Sequence, residues 1–343
     1  MSPGDRAGAG SGGALVAAAL TAVTIGGCVL AIVLAVTRTL SPESRRAIEL
    51  VAFTPIGLPA ALVALVGAWV LLRRRRRLRQ TVLACAAGLA VLHAWWLAPQ
   101  FVGEVPRADP TSTRLVVMTQ NFEEGEADAV ADLVRQHDVD VLVLTDTTEE
   151  RVSEVVASGV GNALPYDTLE NGRGSVVWSR YPISSDTHVS DGGDSREVRL
   201  DMPGLAQVTL FALHPTPPYQ ADGSQWWADW EQALTRIRQA YGDAAADGRV
   251  LVVGDLNATA DHWPVRSLGE MGFRDVAEQL NSGLAATWPA NGTYTRLGLS
   301  VPALLALDHV LTSPGLVPTD HVVTDAAGGD HRGVIATLVT SER

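Results

Sequence analysis

The sequence predicts a three-helix membrane region followed by an α/β domain. Within residues 1–104, three long apolar stretches hold almost no charge. From residue 114 onward, short runs of aliphatic and β-branched residues alternate with amphipathic segments, which is the pattern of alternating strands and helices. We therefore predict a membrane region over 1–104, a linker over 105–113 and a globular domain over 114–343.

The three apolar stretches are long enough to cross a bilayer, which requires about 20 residues in a helix. They lie at 14–36, 50–72 and 81–101. Pro55 and Pro59 fall near the start of the second span, where a neighbouring helix can satisfy the freed carbonyls. A cleaved signal peptide is the alternative for the first stretch. Its apolar run is longer than a signal sequence needs, and no A-x-A cleavage site follows it.

The arginine-rich segment between the second and third spans predicts the orientation in the membrane. Residues 73–79 read RRRRRLR, whereas the loop after the first span carries Arg38, Arg45 and Arg46. Loops rich in Arg stay on the cytoplasmic side, so we expect residues 73–79 and the N-terminus to be cytoplasmic. The domain after residue 101 is then expected outside the cytoplasmic membrane of a multi-pass membrane protein.

The globular part is acidic and has no thiol. Residues 107–343 carry 16 Arg and 34 acidic residues, a net charge of −18, and the whole chain has no Lys. Such a surface repels polyanions, which disfavours nucleic acid as a partner. Cys28 and Cys85 both lie in apolar stretches, so the globular part cannot use a catalytic thiolate, a cysteine zinc site or a disulfide. The sequence indicates no protein partner.

Strands and helices alternate in the globular part. The strand candidates are continuous apolar runs, which indicates that both faces of their sheets are covered. One helix is expected over 126–137 and another over 224–242, where Trp226 and Trp230 lie on the apolar stripe. Trp227 lies off this stripe, where it would contact either the protein or a membrane or substrate. The predicted strands are 114–120, 139–145, 174–179, 207–214, 249–255, 307–313 and 333–339.

Polar residues lie at the ends of six strand candidates. Singly, such residues often cap helices or form turns, but their repetition favours a site, since sites in α/β sheets gather where strands end. In the segment LVVGDLNAT (251–259), Asp255 and Asn257 face the same side if the chain stays extended. The candidate site residues are Asn121, Asp146, His214, Asp255, Asn257, Asp308, Asp330 and His331.

These residue types indicate metal-assisted phosphate chemistry. Carboxylate and amide oxygens without thiols are hard ligands, which suit Mg²⁺ or Mn²⁺ better than zinc. Two histidines beside acids are suited to donating a hydrogen bond or a proton to a phosphate or a leaving oxygen. The sequence has neither a glycine-rich phosphate loop nor a G-x-S-x-G motif. We therefore predict hydrolysis of a phosphate ester by water.

Seven short segments, in order, resemble the endonuclease/exonuclease/phosphatase superfamily over about residues 113–340. The segments are TQN, GSVVWSRYPI, LHPTPP, VVGDLNAT, GFRD, LDHVL and GDHRG. The resemblance implies a four-layer α/β sandwich, in which two mixed β-sheets are flanked by helices. The three preceding spans, together with HPTPP and TWP (287–289), are most similar to a membrane-anchored branch that includes a teicoplanin-resistance protein.

The resemblance also implies a role for each catalytic candidate. Asp255 and Asn257 would orient and activate the attacking water and bind the scissile phosphate. His331 would donate a hydrogen bond to that phosphate, while Asp308 fixes the tautomer of His331. His214 would be the second imidazole of the site.

By the same resemblance, Asn121, Asp146 and Asp330 would bind Mg²⁺ or Mn²⁺, and no other cofactor is implied. Asp146 stands where the family has Glu. Because Asp is one methylene shorter, its oxygens fall back by about 1.5 Å, a single-bond length. Either the backbone shifts, a water bridges, or the metal is held more loosely, in which case Mn²⁺ or Ca²⁺ would be preferred.

Three functions fit these features. The first is a membrane-anchored phosphoesterase that acts outside the cytoplasmic membrane on a lipid-linked or cell-wall-precursor phosphate, with glycopeptide resistance as a consequence. The second is an anchored extracellular nuclease, which the charge of −18 disfavours. The third is a catalytically inert module that captures a ligand, which only Asp146 favours. The sequence leaves open whether the bond is a monoester, a diester or a pyrophosphate.

Overall fold

The computed structural model describes residues 8–73, 76–107, 112–171, 174–190, 193–204, 206–243, 249–296, 298–325 and 327–340. The chain divides into a smaller N-terminal unit, which comprises the chain up to Pro42 and Arg46–Ala98, and a larger unit, which comprises Glu43–Arg45 and the chain from Pro99 onward. Arg74 and Arg75 of the arginine-rich segment, residues 108–111 of the expected linker and residues 341–343 lie outside the described residues. The boundaries of the membrane region and the linker stay predictions.

Three helices of the N-terminal unit are long and apolar enough to cross a membrane. The candidate spans are Leu15–Leu40, Thr54–Leu71 and Arg76–Gln100. The helices of this unit are α1 (Gly8–Leu40), α2 (Arg45–Val51), α3 (Gly57–Leu71) and α4 (Arg76–Leu97). The expected span at 50–72 is not one continuous helix, because a 3₁₀ turn at Thr54–Ile56 separates α2 from α3. Pro55 lies in this turn and has no amide hydrogen, so the helical hydrogen bonds cannot continue through it.

Small residues and a buried imidazole hold these helices together. Gly27 of α1 lies so close to α3 that a Cβ there would be 2.7 Å from the carbonyl oxygen of Ala60. The buried side chain of His93 in α4 donates a hydrogen bond to the carbonyl of Ala31 in α1, at 3.1 Å. Close backbone approach and a polar link between helices are typical of helix packing in membranes.

The larger unit contains two six-stranded mixed β-sheets. The main strands of the first are β1 (Arg114–Asn121), β2 (Val141–Thr147), β3 (Tyr166–Asp167), β4 (Gly174–Ser179), β13 (Leu316–Val323) and β14 (Val334–Thr340). Those of the second are β5 (Ile183–His188), β6 (Arg196–Met202), β7 (Ala206–Ala212), β8 (Arg249–Asp255), β9 (Arg274–Asp275) and β12 (Asp308–Thr312). The orders are β13-β14-β1-β2-β4-β3 and β5-β6-β7-β8-β12-β9. β1 and β2 are parallel, as are β7 and β8, and the other neighbours are antiparallel.

Helices and a short hairpin complete this unit. The helices are α5 (Ala127–Gln136), α6 (Glu149–Ala157), α7 (Ser224–Asp243), α8 (Trp263–Glu270) and α9 (Val276–Gln279), and the hairpin pairs β10 (Thr295–Arg296) with β11 (Leu299–Ser300). In α7, Trp226 and Trp230 are buried, as their spacing predicts. Trp227 is half-buried and stacks on Trp263, with ring centroids 4.6 Å apart.

The apolar strand runs are continuous because alternate residues face two different cores. In β1, Leu115 and Val117 pack into the core between the two sheets, where side chains of both sheets meet. Val116 and Met118 face the opposite way and pack with residues of α5 and α6. Two mixed sheets flanked by helices confirm the predicted sandwich.

Candidate active site

Four candidate residues lie where strands of the two sheets end. Asn121 is the last residue of β1, and Asp146 is the second-last residue of β2, in the first sheet. In the second sheet, Asp255 ends β8 and His214 follows β7. Because both pairs of strands are parallel, their carboxyl ends meet at one edge. Each sheet therefore places two candidate residues at the carboxyl ends of its parallel strands, and the site is built from both pairs.

Antiparallel strands bring three further residues to the same edge. Asp308 is the first residue of β12 and not the end of a strand, and it pairs in register with Asp255. Asp330 and His331 precede β14, which runs antiparallel to β1. A residue that precedes an antiparallel strand and a residue that ends its neighbour share one edge of the sheet. Strand direction therefore explains how residues distant in sequence meet.

Gly254 allows the ends of β7 and β8 to approach each other. Its φ is +139°, and a Cβ there would lie 2.1 Å from the carbonyl oxygen of Leu213. The amide of Leu213 donates to the carbonyl of Val253 at 2.8 Å. Only glycine tolerates both this backbone conformation and this contact. The glycine before Asp255 thus places His214 beside Asp255.

A buried Asp–His–Asp cluster forms the centre of the site. His331 Nδ1 and Asp308 Oδ2 are 2.8 Å apart, and His331 Nε2 lies 3.8 Å from Asp255 Oδ2. Burial by itself would lower the pKa of His331, but the carboxylates of Asp308 and Asp255 outweigh it and raise the pKa to about 10. The imidazole is therefore held as a cation whose Nδ1–H donates to Asp308 and whose Nε2–H faces the site.

His214 is the second histidine of the site. Its Nε2 lies 3.8 Å from Asp146 Oδ2 and 4.0 Å from Asp255 Oδ2. Its Nδ1 faces the other way, 4.0 Å from Asp194 Oδ2, and its backbone amide donates to Ser195 Oγ at 3.0 Å. The sequence analysis missed Asp194, because no strand was predicted at β6, which Asp194 precedes by two residues.

Asn257 reaches the site by a turn and not by strand alternation. β8 ends at Asp255, and Asn257 has a φ of 45°, so the chain does not stay extended between them. The backbone amide of Asn257 donates to Asp255 Oδ1 at 2.9 Å, and its side-chain amide donates to the carbonyl of Pro215 at 2.9 Å. These bonds fix Asn257 beside Asp255, although for a different reason from the predicted one.

Several acidic side chains lie near Asn121 and Glu123. The Asn121 amide donates to Asp255 Oδ2 at 2.9 Å. The pKa of Glu123 is raised, first by the charge of Asp146, then by partial burial and by the charge of Asp330. Asp330 Oδ2 accepts a hydrogen bond from the indole of Trp288 at 3.2 Å. Glu123 was not predicted, although its place two residues after Asn121 is a usable signal.

Most of the larger unit matches a known protein family. The model described as the Endonuclease/Exonuclease/phosphatase family matches residues 118–331, more than half of the chain. The chain belongs to this family. The resemblance of its motifs to that superfamily is therefore confirmed, and the members of this family are hydrolases that act on phosphoester bonds.

The first two of the following solved structures show the same fold at low identity. TDP2 from Caenorhabditis elegans is 15% identical with a TM-score of 0.52, covering 82% of this chain and 89% of that one. D. rerio TDP2, complexed with single-strand DNA product, is 17% identical with a TM-score of 0.50, covering 66% of this chain and 100% of that one. An endonuclease/exonuclease/phosphatase from Beutenbergia cavernae is 20% identical with a TM-score of 0.47, covering 66% and 72%. No curated protein sequence matches the chain.

The side chains of the site fit a hard divalent cation, which members of this family typically require. The candidate ligands Asn121, Asp146 and Asp330 offer only oxygen atoms, and the raised pKa of Glu123 shows that negative charge accumulates beside them. Asp255, Asp308 and His331 also offer ligand atoms that lie within 4.8 Å of one another. The identity of the metal and the individual ligand roles stay predictions.

Asp146 lies in an irregularity of β2. The pairing of β2 with β4 shifts register between Leu144 and Thr147, and Asp146 has a φ of 55°. Asp adopts this left-handed conformation more readily than most residues other than glycine and Asn. The irregular backbone at Asp146 does not distinguish the three alternatives for the shorter side chain, which stay predictions.

Exchanging Asp146 for Glu tests whether this position binds the metal. We expect Asp146→Glu to retain or raise kcat/KM and to tighten Mg²⁺ binding, measured by isothermal titration of the EDTA-treated protein, because the longer side chain restores reach. The free energy of unfolding should fall by about 1 kcal/mol, because Glu adopts the left-handed backbone conformation less readily than Asp. A loss of both activity and Mg²⁺ affinity would show that Asp146 is not the equivalent ligand.

His309 belongs to a structural pair and not to the site. Its Nδ1 is 2.7 Å from Asp275 Oδ2, and both side chains are buried. Burial would raise the pKa of Asp275, but the hydrogen bond and charge of His309 lower it on balance. Burial would lower the pKa of His309, but the hydrogen bond and charge of Asp275 raise it on balance. Both shifts favour the ionised form of the pair in the folded protein.

The stability that this pair provides should depend on pH. The lowered pKa of Asp275 contributes stability above its unfolded pKa near 3.9, and this contribution is lost as pH falls through the folded value. The raised pKa of His309 contributes below its unfolded pKa near 6.5, and this is lost as pH rises through the folded value. Asp275→Asn should thus lower the free energy of unfolding by about 3–5 kcal/mol near pH 5.5 and by less at pH 9, measured by urea unfolding.

The control for this prediction is Glu278→Gln, which removes an exposed ion pair with Arg274. It should cost less than about 1 kcal/mol at both pH values. An Asp275→Asn cost that is equal at pH 5.5 and pH 9 would contradict the ionised pair.

Proposed function

We propose that the chain is a membrane-anchored phosphoesterase that acts outside the cytoplasmic membrane on a phosphate carried by a lipid or a lipid-linked cell-wall precursor. The observation that carries this proposal is the buried cluster of Asp255, Asp308 and His331 in a chain with three candidate membrane spans. Family membership supports hydrolysis of a phosphoester bond. Removal of wall-precursor phosphates would contribute to glycopeptide resistance, as in the membrane-anchored branch that the sequence resembles.

Asp255 is the residue best placed to orient the attacking water. Its Oδ1 accepts from the Asn257 amide and its Oδ2 from the Asn121 side chain, so the orientation of the carboxylate is fixed. The Asn257 side-chain nitrogen carries two hydrogens, of which one binds Pro215 and the other is available to a phosphate oxygen. Both groups then act on one phosphate.

His331 is the residue best placed to stabilise charge on the phosphate or the leaving oxygen. Asp308 holds Nδ1, which leaves Nε2–H directed at the site beside Asp255. A cationic donor forms stronger hydrogen bonds to anionic oxygens than a neutral one. His214 is the second imidazole of the site, and its Nε2 faces Asp146 and Asp255.

A divalent metal would be held by Asn121, Asp146 and Asp330, with Glu123 beside them. When bound, Mg²⁺ or Mn²⁺ supplies neutralisation of the phosphate charge and favours attack by water. Without a cation these carboxylates repel one another, as the raised pKa of Glu123 shows. Chelation with EDTA should therefore stop hydrolysis.

An exposed apolar segment beside the site supports a lipid-linked substrate. Leu299 and Leu304 are 73% and 52% exposed, and Tyr294 is 48% exposed, around the β10–β11 hairpin. The Tyr294 ring packs on Trp288, with centroids 4.8 Å apart, and Trp288 donates to Asp330. Exposed apolar side chains that gather in one segment mark an interaction surface. The exposed Arg296 of the same hairpin would attract anionic headgroups.

Removing these apolar side chains should affect lipid substrates alone. We expect Leu299→Ser combined with Leu304→Ser to lower hydrolysis of a polyprenyl phosphate in vesicles about 100-fold, because each leucine loses about 1.5 kcal/mol of burial on contact with lipid. Hydrolysis of a soluble nitrophenyl phosphate ester should change less than twofold. Val156→Ser, at a site 49% exposed on α6, is the matched control. Equal losses on both substrates would contradict a lipid-contacting role.

The proposed orientation has a separate test. By the positive-inside rule, the N-terminus is cytoplasmic and the C-terminus is outside. A C-terminal alkaline phosphatase fusion should be active and a C-terminal fluorescent protein dark. Fluorescence without phosphatase activity would reverse the orientation.

An anchored extracellular nuclease is the second candidate function. The observation that favours it is the likeness of fold to D. rerio TDP2, whose structure contains a single-strand DNA product. The net charge of −18 over residues 107–343 opposes it, because phosphate neutralisation drives most nucleic-acid binding.

One assay separates the two candidates. The detergent-solubilised full chain is supplied with Mg²⁺ or Mn²⁺ and given polyprenyl phosphate, polyprenyl pyrophosphate and supercoiled plasmid in parallel. We expect phosphate release from at least one lipid and no plasmid nicking at the same enzyme concentration. Nicking without phosphate release would overturn the lipid proposal in favour of the nuclease.

A further inference from the structure

A polar pocket of about 340 Å³ adjoins His214 on its Nδ1 side. Asp194 lies in its wall, 4.0 Å from His214 Nδ1, while His214 Nε2 faces Asp146 and Asp255. The imidazole is buried, and Nδ1 has no hydrogen-bond partner among the described residues. The pocket and the proposed reaction centre therefore share His214 as a common wall.

Part of the pocket wall is fixed by its own hydrogen bonds. Asp229 accepts from the backbone amide of Thr216 at 2.8 Å and from the side chain of Gln225 at 2.7 Å. These two hydrogen bonds fix the orientation of the Asp229 carboxylate in the wall, and each of its oxygens can accept a further hydrogen bond from a ligand. The polar side chains that line the pocket also include the Asp194 carboxylate, the Ser190 hydroxyl and the Gln232 amide. The Gln232 Nε2 group donates one hydrogen bond to the carbonyl of Ala228 at 3.3 Å, and it carries a second hydrogen.

The chemistry of this wall selects an uncharged ligand with several hydroxyl groups. The described residues that line the pocket include two carboxylates and no Arg, so a second phosphate would be repelled. They include no aromatic ring other than His214, so the cage that binds quaternary ammonium groups is missing there. Carboxylate, hydroxyl and amide groups together pair with hydroxyls, which both donate and accept.

We propose that this pocket binds a neutral, hydroxyl-rich group of about one sugar ring that is esterified to the scissile phosphate. Its volume is at the lower end of the roughly 300–1,000 Å³ of small-molecule sites, which fits one ring and not an oligosaccharide. This inference rests on the proposed phosphoesterase function, and it names the polar part of the substrate, whereas the hairpin contacts the lipid part.

Binding can be tested without catalysis. The EDTA-treated full chain in detergent is mixed with methyl α-glucoside, and saturation-transfer NMR reports contact with the sugar protons. We expect a signal from wild type, its loss in Gln232→Leu and its retention in Gln136→Leu. Gln136 is an exposed glutamine on α5, outside the pocket. A signal from choline with none from the glucoside would overturn the assignment to a polyol.

Kinetics on two diesters with the same leaving group then connect the pocket to the reaction. The probes are methyl 4-nitrophenyl phosphate and the 6-(4-nitrophenyl phosphate) diester of methyl α-glucoside. In Gln232→Leu, we expect KM for the glucoside diester to rise about fivefold with kcat within twofold, the effect of one lost neutral hydrogen bond. Both parameters for the methyl diester should stay within twofold, as should both substrates in Gln136→Leu.

The two measurements separate the possible failures. A glucoside NMR signal without hydrolysis of either diester, of polyprenyl phosphate or of polyprenyl pyrophosphate would refute the phosphoesterase and leave the pocket assignment standing. Hydrolysis of both diesters with equal KM values, and no glucoside signal, would refute the pocket assignment and leave the phosphoesterase standing.

Discussion

Replacing Asp255 with Asn should lower kcat about 10³- to 10⁴-fold, the usual effect of removing a group that activates a nucleophile. Asp255 is 1% exposed, and its two oxygens accept from the Asn257 and Asn121 amides. Asn has the same shape, but its NH₂ group would replace one of the two carboxylate oxygens. This NH₂ group would face an amide donor and could not accept a hydrogen bond from it. The carboxylate would also be lost beside His331, 3.8 Å away.

The measurement is phosphate release from a polyprenyl phosphate by Asp255→Asn and wild-type protein in the same detergent. Asp320→Asn, at an exposed position on β13, is the control and should retain full activity. Far-UV circular dichroism should be the same for all three proteins. A loss smaller than tenfold would show that Asp255 does not act on the water. Activity in wild type that Asp255→Asn abolishes would also eliminate the hypothesis of an inert binding module.

Asp308 and His331 should behave as one catalytic unit. His331 and Asp308 are joined by a 2.8 Å contact inside the protein, and Asp308 holds the imidazole in one orientation. We expect His331→Gln and Asp308→Asn each to lower kcat about 10²- to 10⁴-fold. Because Asp308 acts only through His331, the double variant should be no slower than His331→Gln alone.

A double-mutant cycle on kcat measures this coupling. The wild type, both single variants and the double variant are assayed on one substrate at one pH. If the two losses multiply in the double variant, the residues act independently, and the proposed role of Asp308 is wrong.

The sequence predicts that the site residues meet, because a polar residue able to bind a metal or move a proton recurs at the ends of the apolar strand runs. Asn121, His214 and Asp255 follow apolar runs whose parallel pairing places their ends at one edge. The register between β8 and β12, which sets Asp308 opposite Asp255, is not encoded locally, since the paired residues next to this end, Val252–Val253 and Val310–Leu311, are apolar and interchangeable. The motif resemblance implied that Asp308 acts on His331, but it did not predict the pairing of Asp308 with Asp255.

Other elements escaped prediction because tertiary contacts hold them in place. β6 carries alternating charges that no apolar pattern reveals, and its buried Arg196 is stabilised by Asp186 at 2.8 and 2.9 Å. β5 presents half-buried or exposed polar residues at the sheet edge. Missing β6 also hid Asp194, and with it the polar pocket beside His214.

Metal-dependent phosphate release by the full chain is the most direct test of the central claim. Wild-type protein in lipid vesicles is given polyprenyl phosphate and polyprenyl pyrophosphate with Mg²⁺, then with EDTA, then with Mg²⁺ restored in excess. We expect release of inorganic phosphate that EDTA abolishes and Mg²⁺ restores, and none from Asp255→Asn. Release that is unaffected by EDTA, or equal in Asp255→Asn, would contradict a metal-assisted site built on the cluster of Asp255, Asp308 and His331.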